Sequence, residues 1–315
     1  MAGTSATKQS SLLQTHYEAM KKSKFFLFML LPGLVYYIIF HYIPMYGVVI
    51  AFKDFSIFDG ILSSPWTDQR GMEHFIELFR SPDFMRVFRN TLLLSIYLLL
   101  FSFPMPIFLA LSLNEVKSVF WRRSVQTVSY LPHFISTVVI SGMIFNFLSL
   151  NGVANQMLGW FGVDSQQFLL IPEYFRTIFV TSDIWQSIGW GSILYLAALA
   201  GVDPQLYEAA KMDGANRWQQ IKHINIPAVI PTAIILFIFN IGGIMNNGFE
   251  KVLLLYNPNI YETADVIGTF VYRRGILGAD YSFAAAAGLF QSIIGFGLVI
   301  LANWAARRIS SNSLW

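Results

Sequence analysis

Six long stretches of the chain contain no Asp, Glu, Lys or Arg. They cover residues 25–52, 90–114, 124–163, 184–202, 223–249 and 281–306. A helix needs about 20 largely apolar residues to cross the hydrocarbon core of a bilayer, so five of these stretches each fit one span. The third stretch is longer, but Asn151-Gly152 is a turn signal and residues 153–163 are too few to cross. We therefore predict one span there, followed by an interfacial segment.

This pattern predicts an all-α, polytopic membrane protein with six transmembrane helices. The transmembrane domain is expected over residues 25–306, between a cytoplasmic N-terminal segment, residues 1–24, and a cytoplasmic C-terminal tail, residues 307–315. The spans are predicted at about residues 25–50, 91–113, 126–150, 180–201, 227–248 and 283–305. Residues 12–24 place apolar side chains at near-helical spacing beside lysines. Both a short interfacial helix and a disordered basic tail fit that segment.

The composition indicates that the bilayer is the main solvent of this chain. Its 315 residues are 55% hydrophobic and only 12% charged, whereas soluble domains are about 25% charged. So much apolar surface cannot be hidden inside one water-facing core. The net charge of +3 does not indicate nucleic acid as a partner, because an excess of Lys and Arg on one side of a membrane gives the same sum. The absence of Cys excludes disulfides and thiolate chemistry.

The distribution of charge predicts the orientation in the membrane. Six spans place both termini on the same side as the second and fourth connections. That side carries twelve basic and five acidic residues, whereas the other side carries nine basic and twelve acidic residues. Because cytoplasmic segments are enriched in Lys and Arg, we expect both termini to be cytoplasmic. The longest outer connection, residues 53–89, would either dock a partner or only cap the bundle.

The connection between the fourth and fifth spans has local signals for two helices. Asp203 suits an N-cap and Pro204 the first helical position, while Gly214 suits the end of a helix of about ten residues. Asn216 can cap a second helix that reaches Pro227. The segment therefore predicts a compact helix-turn-helix that projects into the cytoplasm, with the whole connection, residues 203–226, acting as a coupling loop.

The first of these helices has small side chains and one charge. Ala209, Ala210 and Gly214 would allow a partner surface to approach closely, and Glu208 offers a charge for pairing. Here the chain resembles the inner-membrane permeases of bacterial binding-protein-dependent ABC importers. Their signature is Glu-Ala-Ala, three residues, Gly, nine residues, Ile, one residue, an aliphatic and Pro. The matching positions are Glu208, Ala209, Ala210, Gly214, Ile224, Ile226 and Pro227.

Other segments resemble the MalF-like carbohydrate permeases. They are Pro44-Met45-Tyr46-Gly47, Arg89-Asn90-Thr91-Leu92, Tyr130-Leu131-Pro132, Trp185 to Leu199 and Asn246 to Lys251. One departure is Ile221, where many relatives have an aromatic residue. Within this group the chain is similar to the permeases that import complex oligosaccharides, such as those derived from alginate or pectin. The resemblance implies the type I permease fold of ABC importers.

The resemblance also implies an assembly in the bacterial cytoplasmic (inner) membrane. The chain would pair with a second homologous permease and two ATPase subunits, and an extracytoplasmic solute-binding protein would deliver the carbohydrate. The chain has no Gly-Lys-Ser/Thr phosphate loop, so we expect it to be non-catalytic and without a cofactor, with ATP and Mg bound by the ATPases. The implied ATPase-coupling residues are Glu208, Ala209, Ala210, Asp213 and Gly214.

Sugar recognition requires planar hydrogen-bonding groups and aromatic faces in a partly dry cavity. The candidates in this chain are Trp185, Gln186, Gly189, Trp190, Asn240, Asn246, Asn247 and Gln291. Resemblance to maltose permease supports Asn240 and the region of Gln186 to Gly189, but the second polar residue expected three positions after Asn240 falls at Gly243. Hydrogen bonding between helices without any sugar is the alternative role of each polar candidate.

An intramembrane enzyme and an ion-coupled secondary sugar transporter are the competing interpretations. The five His residues lack metal-ligand spacing and no His-Glu-x-x-His sequence is present, so neither a metal site nor catalysis is expected. An intramembrane carboxylate would suggest a proton route, but we expect Asp183 at the outer interface, where it begins a span. A secondary carrier would transport alone, whereas an importer permease would need its partners and ATP.

Overall fold

A computed structural model describes residues 24–246 and 248–309. Residues 1–23, Asn247 and residues 310–315 lie outside the described part of the chain. The principal helices are α1 (Lys24–Phe52), α2 (Glu73–Arg80), α3 (Pro82–Glu115), α4 (Val119–Tyr130), α5 (Thr137–Leu148), α6 (Val153–Gly159), α7 (Pro172–Ala200), α8 (Pro204–Met212), α9 (Arg217–Gly243), α10 (Phe249–Leu255), α11 (Ile267–Val271) and α12 (Tyr281–Ile309). Shorter helical turns are Gly60–Ser63, Asp68–Gly71, Leu131–Phe134, Phe168–Leu170, Pro258–Ile260, Tyr261–Ala264 and Tyr272–Leu277.

Five helical segments among the described residues are long and apolar enough to cross a membrane. They are Lys24–Phe52, Pro82–Glu115, Thr137–Gly159, Arg217–Gly243 and Tyr281–Arg308. The predicted fourth span corresponds to α7, which has 29 residues but includes Glu173, Arg176 and Asp183. The all-α class is confirmed, and the total of six spans remains a prediction.

The predicted third span, residues 126–150, is not one continuous helix. α4 ends at Tyr130, a 3₁₀ turn over Leu131–Phe134 follows, and α5 begins after Ser136. Pro132 lies in this turn and has no amide hydrogen to donate, while the Ser136 side chain caps α5. These two local features divide the predicted span into two helices.

Three helices, α1, α3 and α9, each contain a π-helical turn that ends two residues before a proline. The turns are Ile38–Tyr42, Leu98–Ser102 and Ile221–Asn225, and the prolines are Pro44, Pro104 and Pro227. Proline lacks an amide hydrogen and its ring crowds the carbonyl group four residues earlier, so the helix widens locally. In α3 this turn ends at Ser102, whose side chain reaches α7.

α7 packs against α3, α4 and α9. Gly189 permits its close approach to α4, because a β-carbon there would lie 2.1 Å from the Ser129 carbonyl oxygen. Gly191 similarly faces Pro106 of α3, with 2.9 Å to the ring γ-carbon. Small residues at such crossings let helix backbones approach each other. α1 packs differently, through Tyr46–Phe52 against α12, and most of its side chains are exposed.

The end of the bundle opposite α8 is held together by a buried ionic network. Asp265 is 0% exposed and accepts two hydrogen bonds from Arg273, at 2.6 and 3.2 Å. Asn90 of α3 donates to the Asp265 carbonyl oxygen at 3.1 Å. Burial alone would lower the pKa of the Arg273 guanidinium, but the hydrogen bonds and charge of Asp265 outweigh burial and raise it. Arg273 therefore stays charged. Together with Asn90, it holds Asp265, and with it the connection that precedes α11, against α3.

Candidate functional site

The segment between α7 and α9 folds into the predicted helix-turn-helix. The Asp203 side chain caps α8 by accepting from Gln205 N at 2.9 Å. At the other end Gly214 has a φ of +77°, and Ala215 N donates to Ala210 O at 2.8 Å. This is the hydrogen bond of a Schellman motif, in which glycine takes the left-handed conformation. The structure therefore shows α8 with both ends defined by its own sequence.

A capping box defines the start of α9. The Asn216 side chain accepts from Gln219 N at 2.9 Å, and the Gln219 side chain accepts from Asn216 N at 2.7 Å. The helix then continues through the π-helical turn and past Pro227 without a break. The second predicted helix and the predicted fifth span are thus one element, so the turn that follows α8 leads directly into α9.

α8 presents an exposed surface that mixes apolar and acidic side chains. Four of the five predicted coupling residues are exposed, and Ala210 is half-buried. The exposed four are Glu208, Ala209, Asp213 and Gly214. Large apolar side chains accompany them, with Leu206 54% exposed and Met212 89% exposed. Exposed apolar residues clustered on a projecting helix are typical of a protein interaction surface.

A hydrogen-bonded chain joins α8 to the adjacent ends of α9 and α3. Tyr207 Oη donates to Asn225 Oδ1 at 2.6 Å, and Asn225 is 0% exposed. Asn225 Nδ2 donates to Glu115 Oε1 at 3.5 Å, and Arg217 lies 3.9 Å from the other Glu115 oxygen. Burial raises the pKa of the Tyr207 hydroxyl above its ordinary value of 10.0, and Glu115 adds to this rise. Tyr207 is therefore a protonated donor at neutral pH.

A cavity of about 570 Å³ lies between α3, α7 and α9. We call it the main cavity because it lies between helices of the bundle. Its polar and aromatic lining residues include Ser95, Ser102, Asp183, Ser187, Trp190 and Asn240. Two of the predicted pathway residues, Trp190 and Asn240, therefore line one cavity. The Asn240 side chain also donates to Leu236 O of its own helix at 3.0 Å. This bond uses one donor of the amide and leaves other hydrogen-bonding capacity for a ligand.

Trp190 has a second aromatic ring stacked on it. The His133 ring lies parallel to the Trp190 ring, with 4.6 Å between ring centroids and 4° between planes. His133 comes from the turn that interrupts the predicted third span. Trp190 remains 46% exposed, so its ring is both held in place and accessible, as an aromatic platform for a sugar requires.

The remaining predicted pathway residues are dispersed. Asn246 and Gln291 line a second cavity of about 410 Å³ and are hydrogen-bonded to each other at 2.8 Å. Trp185 lies in a shallow groove with residues of α4. Gln186 is half-buried and Gly189 is a packing contact with α4, and neither lines the two cavities. Asn247 lies outside the described residues.

The structure brings together three polar residues whose meeting the sequence did not predict. Asp183 does not begin a helix, because α7 begins at Pro172, and its side chain lines the main cavity. Ser102 of α3 donates to Asp183 Oδ2, and Lys251 of α10 lies 4.0 Å from Asp183 Oδ1. The sequence contained one signal for this contact, because an acidic residue within a predicted span requires a polar partner. The spacing of residues did not identify that partner.

Comparison with known proteins assigns the chain a family and close relatives. The family described as "Binding-protein-dependent transport system inner membrane component" matches residues 102–312. The chain is 42% identical over 295 residues to the polygalacturonan/rhamnogalacturonan transport system permease protein YteP of Bacillus subtilis (strain 168), covering 93% of this chain and 91% of YteP.

Two solved structures have the same fold. One is a bacterial alginate ABC transporter in complex with an alginate pentasaccharide-bound periplasmic protein, with a TM-score of 0.86, 45% identity, and coverage of 95% of this chain and 99% of that chain. The other is a bacterial ABC transporter involved in the import of the acidic polysaccharide alginate, with a TM-score of 0.86, 46% identity, and coverage of 94% and 99%. The similarity thus extends over nearly the whole chain.

Proposed function

Because this chain belongs to the family of binding-protein-dependent transport system inner membrane components, we propose that it is the permease subunit through which an ATP-driven importer moves an acidic oligosaccharide into the cytoplasm. The near full-length similarity to chains of alginate transporters carries this proposal. YteP, a polygalacturonan/rhamnogalacturonan permease, supports the same class of substrate. Family membership decides against the ion-coupled secondary transporter.

The proposed assembly contains a second homologous permease, two ATPase subunits and an extracytoplasmic binding protein. The permease itself is non-catalytic, since its sequence has no phosphate loop to hold a nucleotide. ATP and Mg belong to the ATPase subunits. The excess of Lys and Arg on the side of the α8 connection supports a cytoplasmic position for α8 and for both termini.

In the proposed mechanism, α8 transmits the movement of the ATPases. The surface containing Glu208, Ala209 and Met212 contacts one ATPase subunit, and closure of the ATPase pair displaces α8. Tyr207 then transmits the displacement through Asn225 to α9. Since Asn225 also contacts Glu115 at the end of α3, two of the helices that enclose the main cavity move together. The cavity consequently opens to one side of the membrane at a time.

The proposed sugar pathway uses the main cavity and then the second cavity. Trp190, supported by His133, offers an aromatic face, and Asn240 offers an amide on the opposite helix. Asn246 and Gln291 provide amides in the second cavity. A few polar groups at fixed positions beside aromatic side chains orient a ligand in a cavity of this kind.

Reconstitution into proteoliposomes tests this function. We expect uptake of an acidic oligosaccharide only when the second permease, the ATPases, the binding protein and ATP are all present. Omitting any one component provides the control and abolishes uptake. Equal uptake by the purified chain alone would contradict the importer assignment.

A further inference from the structure

A buried lysine next to the main cavity has no role in the mechanism above. Lys251 of α10 is only 5% exposed. Among the described residues, its Nζ has no hydrogen-bond partner. It lies 4.0 Å from Asp183 Oδ1 and 5.5 Å from the centroid of the Phe179 ring. Asp183, Phe179 and Gly248 all line the main cavity, so the ammonium group lies immediately behind the cavity wall.

The surroundings of Lys251 do not satisfy its ammonium group. The group has three N–H donors, and 4.0 Å to Asp183 is too long for a hydrogen bond. The Phe179 ring supplies a cation–π contact, which does not replace an acceptor. Burying a charge is unfavourable unless it is both paired and hydrogen-bonded. An acceptor supplied from the cavity would therefore complete this site.

Asp183 contributes a complementary group. Ser102 donates to its Oδ2, which leaves Oδ1, the oxygen nearer Lys251, able to accept from a ligand. The site thus presents N–H donors that carry a positive charge beside a carboxylate oxygen. A sugar residue that carries a carboxylate next to hydroxyl groups matches this arrangement, whereas a neutral sugar offers Lys251 only uncharged oxygen atoms.

We propose that Lys251 and Asp183 form a subsite for one uronate residue of the transported oligosaccharide, an inference that rests on the proposed function. The flexible Lys251 side chain turns from behind the wall so that its Nζ donates a hydrogen bond to the sugar carboxylate. A neighbouring sugar hydroxyl donates to Asp183 Oδ1. Hydrogen bonds between two charged groups are about twice as strong as neutral ones. Asp183 also repels the same carboxylate, which keeps binding weak enough for release into the cytoplasm.

The experiment exploits the absence of Cys from this chain. Lys251→Cys is assembled with the second permease, the ATPases and the binding protein, all made without accessible cysteines. Uptake is measured in proteoliposomes for a uronate oligosaccharide and for its carboxyl-reduced, neutral counterpart of equal length. The ratio of the two rates is compared between variants, so the preference of the shared binding protein cancels.

We expect Lys251→Cys to reduce the acidic-to-neutral uptake ratio about 10- to 100-fold, the effect of losing one hydrogen bond to a charged group. Modification of the introduced thiol with aminoethyl methanethiosulfonate restores an ammonium group and should restore the ratio. Modification with the neutral methyl reagent should not.

Lys53→Met is the matched control, because Lys53 is equally buried but donates to Ile61 O and Leu62 O at 2.9 and 2.8 Å. This variant should keep the wild-type acidic-to-neutral uptake ratio.

An unchanged ratio in an assembled Lys251→Cys importer would overturn the subsite, and so would restoration of the ratio by the neutral reagent. If Lys251→Cys fails to assemble, Asp183→Asn is tested in its place. The proposal expects Asp183→Asn to change the acidic-to-neutral uptake ratio, and an unchanged ratio would contradict it. If the unsubstituted importer moves neither sugar with ATP, the proposed function itself fails.

Discussion

At the scale of single residues, the turn after α8 depends on one glycine. Gly214 has a φ of +77° and lies in open space, with no atom within 4 Å of the position that a β-carbon would occupy. We therefore attribute the requirement for glycine to backbone conformation within this chain, since L-residues with a side chain rarely adopt positive φ. A close approach by an ATPase would add a second requirement.

Gly214→Ala should strain the turn by about 1–2 kcal/mol, the cost of a left-handed residue with a β-carbon. We expect ATP-driven uptake to fall while the amount of permease in the membrane stays unchanged. Proteoliposome uptake and quantitative blotting measure the two effects. Gly142→Ala, in α5 with open space around the same β-carbon position and no positive φ, is the control and should leave uptake unchanged.

Glu208 offers the second prediction at this scale. It is exposed on α8, so its replacement should not disturb the fold of the permease. We expect Glu208→Ala to uncouple ATP hydrolysis from uptake, lowering the number of sugars moved per ATP. Parallel assays of phosphate release and uptake provide that ratio. Gln205→Ala, exposed on the first turn of the same helix, should retain the wild-type ratio; a wild-type ratio for Glu208→Ala would contradict the proposed contact.

At the scale of helices, the important feature is how α8 is attached to the bundle. Its caps form within the segment itself, but its connection to α9 and α3 depends on Tyr207, Asn225 and Glu115. The π-helical turn Ile221–Asn225 contains the acceptor of this connection. Pro227, the proline that widens α9, thus lies two residues after Asn225, the residue through which α8 is joined to α9.

Tyr207→Phe should remove the 2.6 Å hydrogen bond to Asn225 without changing the size of the ring. Losing a neutral hydrogen bond costs about 0.5–1.5 kcal/mol, so we expect uptake per ATP to fall by about two- to tenfold. Hydrolysis and uptake are measured together in proteoliposomes. Tyr42→Phe, at an exposed tyrosine of α1, is the control. Wild-type coupling in Tyr207→Phe would show that movement passes to α9 by another route.

At the scale of the whole molecule, the exposed helix α8 and the main cavity are separate features. α8 lies at one end of the bundle, and the Asp265 network fixes the connections at the opposite end. The main cavity lies between α3, α7 and α9. In the proposed importer, a fixed end and a displaceable end allow the helices around the cavity to tilt, which alternating access requires.

The proposed orientation can be tested in the same cysteine-free chain. We expect Gln205→Cys to react with a membrane-impermeant maleimide only after the membrane is opened, because α8 would face the cytoplasm. Asp59→Cys, in the connection between α1 and α2, should react in intact spheroplasts. Both positions are exposed in the structure. The reverse labelling pattern would contradict the charge-based orientation.

The sequence by itself determined the apolar segments and the form of α8. Apolar runs and capping residues act over a few neighbouring positions, so Asp203, Gly214 and Asn216 could be interpreted without knowing what surrounds them. The family resemblance likewise rested on a local signature at fixed spacing. The interruption at Pro132 was also a local signal, but the apolar pattern continued across it and concealed the break.

Only the tertiary structure decided which polar residues meet. Ser102 and Asp183 are 81 positions apart, and Lys251 reaches them from a helix beyond the predicted fifth span. Gly189 is predicted as a pathway residue, and the structure places it at the crossing of α7 with α4, where it permits close packing. Side-chain contacts between distant segments depend on helix rotation and crossing, and no local pattern of apolar and polar residues specifies either one.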